Sequence, residues 1–295
     1  MSRCFLCPRR CGADRESSVG FCGVSDKIKI ARAAPHFFEE PVISGERGSG
    51  AIFFSGCPLR CVYCQNYSLS HNSHGLEISE ERLEEIILKL EKSGVHNINL
   101  VSPTQFALPV SNVLKRIKKD LSIPVILNTS GYESEETHSL FEGLIDVFLP
   151  DLKYFSPELS KKYSGVSDYF EVAIQAIERM IKSVGAPVIE DGLIKKGVII
   201  RHLLLPGLRR DSERLLYELR DRFGTESFLL SLMHQYTPEF LEEGFPELRR
   251  RVTEFEYNFA KNLAAEIGFK GFSQDKTSAT AKFTPDFNLE NLISF

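Results

Sequence analysis

Along residues 50–268, short runs of consecutive apolar residues alternate with stretches whose apolar positions recur every three or four residues. The first run, residues 50–55 (GAIFFS), reads as a buried strand. Leu83, Ile86, Ile87 and Leu90 then fall at i, i+3, i+4 and i+7, which predicts a helix capped by Ser79 and closed at Gly94. Residues 97–101 predict a second strand, with Val110, Val113, Leu114 and Ile117 marking its helix; residues 124–128 predict a third, with a helix over 134–143. A fourth strand at 145–149 precedes a helix over 168–184, a fifth at 198–205 precedes one over 211–223, and a sixth at 228–233 precedes one over 246–267. Six successive βα units imply a parallel sheet with right-handed crossovers. Eight close a barrel, so six predict an α/β fold of the open kind, a partial (β/α)6 TIM-like barrel.

The flanks lack this alternation. Residues 1–49 hold a first group of cysteines and a candidate strand at 28–33, and residues 269–295 are small and polar with no clear period. We therefore expect three segments: a cysteine-rich N-terminal extension over 1–49, the barrel over 50–268, and an irregular tail over 269–295. The tail is open between a mobile end and a flap over the barrel mouth. With 36 Lys+Arg against 40 Asp+Glu among 295 residues, the net charge of -4 gives no sign of a nucleic-acid surface. No apolar run reaches the roughly 18 residues of a membrane span and the start carries no apolar leader, so a cytoplasmic protein is expected.

Chemistry should gather where strands end. The first strand runs into Cys57, Cys61 and Cys64; the second into Ser102, Pro103, Thr104 and Gln105; the third into Asn128 and Thr129. The fourth delivers Asp151, Leu152 and Lys153, the fifth carries Arg201 and ends at Pro206-Gly207, and the sixth leads to His234. Three thiolates in C-x3-C-x2-C suit three corners of a cubane iron–sulfur cluster and leave one iron open, whereas structural zinc asks for four ligands. Zinc completed by a distant residue, or three unrelated thiols, are the alternatives.

That motif, with Tyr63 before the last cysteine, resembles the signature of the radical S-adenosylmethionine (SAM) enzymes. The resemblance covers roughly residues 50–240. It implies a 4Fe–4S cluster whose open iron is chelated by the methionine moiety of S-adenosylmethionine, an electron donor such as flavodoxin or ferredoxin, and a 5′-deoxyadenosyl radical that abstracts hydrogen. Within the superfamily the chain is most similar to the pyruvate formate-lyase activating-enzyme group. The matching segments are Gln65-Asn66, Asn128-Thr129-Ser130-Gly131, Asp151-Leu152-Lys153, Arg201 with Leu205-Pro206-Gly207, and His234. By resemblance, Tyr63 lies near the adenine and Arg201 and His234 contact the cosubstrate; Asn66, Asn128 and Thr129, in the matching segments, are expected to bind cofactor, as are Ser102, Thr104 and Gln105, whose hydroxyl and amide oxygens can accept from the methionine ammonium. Asp151 and Lys153 line the substrate side as catalytic residues, and the substrate is a backbone glycine of a glycyl-radical enzyme. Two departures stand out: Ser102-Pro103-Thr104-Gln105 replaces the group's Gly-Gly-Glu, and Asn128 replaces an aspartate.

Cys4, Cys7, Cys11 and Cys22 offer four thiolates, the number for zinc or a second, closed iron–sulfur cluster, with free thiols, or one of them lent as a ligand elsewhere, as the alternatives. Two rival readings remain open: radical modification of a small molecule, lipid or RNA, and an electron-transfer or metal-binding scaffold with closed sites. The basic runs at Lys115, Arg116, Lys118 and Lys119 and at Arg249, Arg250 and Arg251 read as solvated helix faces. Residues 45–50 (GERGSG) lack a P-loop lysine and read as an entry loop, and His36 stands just ahead of the barrel.

Overall fold

The computed structural model describes residues 3–274, 285, 287–289 and 292. Among the described residues, ten strands form one sheet: β1 (Lys29–His36), β2 (Ser49–Phe54), β3 (Leu76–Glu77), β4 (Ile98–Val101), β5 (Val125–Thr129), β6 (Val147–Pro150), β7 (Val188–Glu190), β8 (Leu193–Leu203), β9 (Leu229–Met233) and β10 (Gly271–Ser273). Their order is β10-β9-β8-β6-β5-β4-β2-β1-β3, with β7 paired to β8. From β2 to β10 along this order every pairing is parallel, while β1 lies antiparallel to β2 and β3 antiparallel to β1. β3 at one edge and β10 at the other do not pair, so the α/β barrel is partial.

The parallel strands are apolar on both faces because helices cover one side and the interior fills the other. All residues of β2, β4, β5, β6 and β9 are buried. The covering helices are α3 (Glu80–Lys92), α4 (Ala107–Ile117), α5 (Glu135–Leu140), α7 (Tyr169–Val184), α8 (Arg209–Phe223) and α9 (Glu254–Ile267); short turns α1 (Pro41–Ser44) and α2 (Tyr67–Ser70) and helix α6 (Pro157–Ser164) complete the set. The expected cap is present on α3: Ser79 accepts from the Arg82 amide, and Leu83, Ile86, Ile87 and Leu90 are buried.

Several boundaries differ from the sequence reading. The helix expected over 246–267 begins only at Glu254, because Thr253 and Glu256 form a reciprocal capping box; Arg249, Arg250 and Arg251 lie ahead of it, outside any helix. The strand expected at 198–205 starts five residues earlier, where Asp191 and Gly192 turn the chain between β7 and β8 with φ of 51° and 76°. α6, between β6 and α7, carries no long periodic pattern. The tail is not wholly irregular, since β10 extends the sheet; most of the rest lies outside the described residues. Of the described part, Phe287 packs edge-on against Phe53 at 5.5 Å.

Candidate active site

Where the parallel strands end, a cavity of about 720 Å³ opens. Register places its polar floor: Thr129 is opposite Pro150, and Asp151 forms a bridge with Arg201 on β8. The Arg201 guanidinium donates three ways, from Nε to Asp151 Oδ1 at 3.1 Å, from Nη1 to Glu39 Oε2 at 3.3 Å, and from Nη2 to Asn128 Oδ1 at 2.5 Å. Lys153 Nζ donates to Asp151 Oδ2 at 2.5 Å. Burial alone would raise the Asp151 carboxyl, but Lys153 and Arg201 outweigh it and hold the group below its ordinary value. Burial instead wins at Glu39 and at Glu40, raising both carboxyls although Arg201 is near.

The loop after β2 brings Cys57, Cys61 and Cys64 to the same cavity, together with Tyr63, Gln65 and Asn66. It is held by many short bonds. The Leu59 amide donates to Cys57 Sγ at 3.4 Å, the Ser164 hydroxyl donates to Cys61 Sγ at 2.9 Å, and Arg9 Nε donates to Pro58 O at 2.8 Å. Tyr63 Oη and Tyr154 Oη are 2.6 Å apart, and the Tyr63 ring packs edge-on against Tyr154, Tyr163 and Tyr236. Burial raises all three thiols, most clearly Cys64, pushed up to about 12 with the Cys57 and Cys61 charges adding to it. All three are free.

Cys57, Cys61 and Cys64 are free and line this one cavity. Among the described residues no three His, Cys, Asp or Glu side chains gather around one metal-ion position. A cubane asks each thiolate to bind a different iron. Three unbridged thiols that repel as thiolates, facing one cavity, fit that demand.

Most of the other expected residues converge here. Ser102, Asn128, Thr129, Asp151, Lys153 and Arg201 line the cavity. Thr104, Gln105 and His234 are not among its lining residues. Thr104 Oγ1 donates to Glu133 Oε1 at 2.5 Å. Gln105 Nε2 turns back to the carbonyls of Ser55, Gly56 and Ser102 at 2.8, 3.1 and 2.8 Å. His234 stacks on Tyr257 at 4.3 Å, while Met233 and Gln235 on either side of it line the cavity, as the two-residue alternation of extended chain requires. Glu39 and Glu40, with Phe37 and Phe38, line the cavity without having been singled out; the signal was the run His36-Phe37-Phe38-Glu39-Glu40, in which only His36 drew notice. His36 also lines it, and burial beside Arg32 lowers its imidazole to about 4.

An open parallel βα sheet whose first loop turns three free thiols into a charged cavity is the framework of an iron–sulfur enzyme. Residues 51–219 match the radical SAM superfamily, and the chain belongs to it. Membership makes it a radical SAM enzyme and implies a 4Fe–4S cluster and S-adenosylmethionine. An uncharacterized protein of Methanocaldococcus jannaschii is 29% identical over 270 residues, spanning 88% of this chain and 74% of that protein. In fold the chain is similar to Streptococcus suis SuiB bound to S-adenosylmethionine (TM-score 0.51, 13% identity, 74% of this chain and 48% of that one). It is similar as well to SuiB bound to its precursor peptide SuiA (TM-score 0.53, 13% identity, 74% and 46%). The chain thus spans about half the length of SuiB. Among the described residues no helix is long and apolar enough to cross a membrane.

Proposed function

We propose that the enzyme cleaves S-adenosylmethionine reductively at a cluster held by Cys57, Cys61 and Cys64 and takes hydrogen from a glycine of a partner protein. The observation that carries this reading is the opening of all three thiols into the cavity that also contains Asp151, Lys153 and Arg201. Bound there, the cluster would pass one electron from a flavodoxin- or ferredoxin-like donor to the sulfonium, giving methionine and a 5′-deoxyadenosyl radical. Arg201 and Lys153 supply positive charge for the methionine carboxylate, and Asp151, held ionised between them, fixes both cations in place. Ser102 and Asn128 offer neutral oxygens to the methionine ammonium where the activating-enzyme group has a carboxylate. Tyr63, its hydroxyl tied to Tyr154, presents a fixed ring edge on the adenine side. An oxygen-sensitive cluster suits a reducing cytoplasm.

A peptide substrate is supported by Gln65-Asn66 and Asp151-Leu152-Lys153, which match the activating-enzyme group, and by exposed Phe37 and Phe38 on the cavity wall. Anoxic reconstitution with S-adenosylmethionine and dithionite should release 5′-deoxyadenosine. Release no greater than that of a Cys57→Ala, Cys61→Ala, Cys64→Ala variant would overturn the reading. A stable glycyl-radical resonance on a co-purifying protein is the expected sign of the partner; intact cofactor cleavage with no such signal would shift the substrate to a small molecule, lipid or RNA.

A further inference from the structure

The N-terminal cysteines lie outside the cavity, behind the loop that begins at Cys57. Two tight turns present them. In the first, the Arg10 amide donates to Cys7 O at 2.9 Å, and Arg10 and Gly12 adopt φ of 44° and 65°. In the second, the Gly23 amide donates to Gly20 O at 2.9 Å, with Gly23 at φ 83°. Cys4 is tied to the first turn, its amide donating to Ala13 O at 2.9 Å and its carbonyl accepting from Gly12 at 3.0 Å. A side chain at Gly20 would lie 3.3 Å from Cys22 Sγ, 3.5 Å from Arg15 Cδ and 3.6 Å from Cys11 Sγ, so both sulfurs and Arg15 come close to one point. All four thiols are free. Four thiolates are the number that closes a 4Fe–4S cluster.

The same module bears directly on the radical loop. The Cys57 amide donates to Cys22 O at 3.2 Å. Gly56 (φ 82°) is pressed so close that a side chain there would come within 2.7 Å of Cys22 O. Arg15 bridges the two parts, with Nη1 3.9 Å from Cys4 Sγ and 2.6 Å from Gln105 O, while the Gln105 side chain grips Ser55 O and Gly56 O.

We propose that Cys4, Cys7, Cys11 and Cys22 together hold a second iron–sulfur cluster, and that its assembly seats the Cys57 loop through the Cys22 carbonyl. Each thiol releases a proton to solvent as it binds iron. The seating depends on the assignment of the radical site to that loop; the metal site does not. The test uses the Cys57→Ala, Cys61→Ala, Cys64→Ala variant of the full chain, purified without oxygen, in which only the second site remains. It should hold about four iron and four sulfide per chain, lost when Cys7, Cys11 and Cys22 are also changed to Ala. Iron and sulfide near zero, zinc in their place, or iron that survives the added changes would overturn the site. Stripping the cluster with chelator should then speed amide exchange across residues 55–60 about tenfold relative to α7; an unchanged ratio would overturn the seating. Failure of cofactor cleavage by the unmodified enzyme would leave these metal measurements untouched, so the two readings fail separately.

Discussion

Arg201 Nε donates to Asp151 Oδ1 across neighbouring strands at 3.1 Å, and that one carboxylate also receives Lys153 on its other oxygen at 2.5 Å. Lys153 thus depends on this carboxylate, which shares Arg201 with Glu39, in a largely buried place. Removing one member of such a group leaves uncompensated charge, which costs more than the pair itself contributes. Asp151→Asn is expected to lower unfolding free energy by about 3 kcal/mol in urea titrations. Cluster content should stay unchanged, because no cysteine contact is lost. Affinity for S-adenosylmethionine, measured by equilibrium dialysis, should fall at least about tenfold as Lys153 and Arg201 lose their fixed positions.

Glu133 shows the opposite balance. Burial lifts its carboxyl from 4.5 to about 7, although the Thr104 hydroxyl donates to it at 2.5 Å. The folded state therefore favours the protonated acid. Its favourable contribution is complete below the ordinary carboxyl value and is lost as pH rises from 4.5 to about 7. A rise of this size corresponds to roughly 3 kcal/mol. Glu133→Gln, which can still accept from Thr104, should flatten this part of the stability–pH curve and leave the variant more stable than the wild type at pH 8. Equal pH slopes for the two proteins in urea titrations would refute the assignment.

The Ser164 hydroxyl donates to Cys61 Sγ at 2.9 Å and is itself 2.9 Å from Tyr154 Oη. Hydrogen bonds to sulfur tune cluster potential by drawing electron density from the thiolate. Ser164→Ala should make the reconstituted cluster harder to reduce, seen as a more negative midpoint in an anoxic redox titration. Full iron content is expected alongside it, since the cysteines are unchanged.

Much of this was legible because burial leaves a period in the sequence. Strands covered on both faces show as unbroken apolar runs, and helices such as α3 show i, i+3, i+4 spacing with their caps. Less legible was the direction in which a side chain points. Thr104 and Gln105 follow the second parallel strand as expected, yet their side chains turn away from the cavity to satisfy Glu133 and three backbone carbonyls. His234 is one residue out of phase with the cavity-facing Met233 and Gln235. Two adjacent acids beside aromatics, Glu39 and Glu40, carry no periodic pattern that predicts burial. Their burial arises only when β1 folds back onto β2, which brings Glu39 to Arg201.

Gly131 tests how far the polar floor depends on one close approach. It takes φ of 76°, and a side chain there would drive into Asp151 O, well inside contact distance, with Tyr169 Oη 3.3 Å away. Tyr169 Oη donates to that same carbonyl at 2.9 Å, so there is no slack on that side. Gly143 serves as the control: its φ is 72°, yet a side chain there would meet nothing within 4 Å. Gly143→Ala should cost only the backbone strain, about 1 kcal/mol. Gly131→Ala carries the same strain plus the clash, and should cost about 3 kcal/mol or more. The excess must be relieved by moving the end of β6, and Asp151 and Lys153 move with it. Binding of S-adenosylmethionine should therefore weaken in Gly131→Ala and remain intact in Gly143→Ala. Equal destabilisation of the two variants, or unaltered binding in a folded Gly131→Ala protein, would show that the floor tolerates displacement and that Asp151 does not hold its cations in a fixed position.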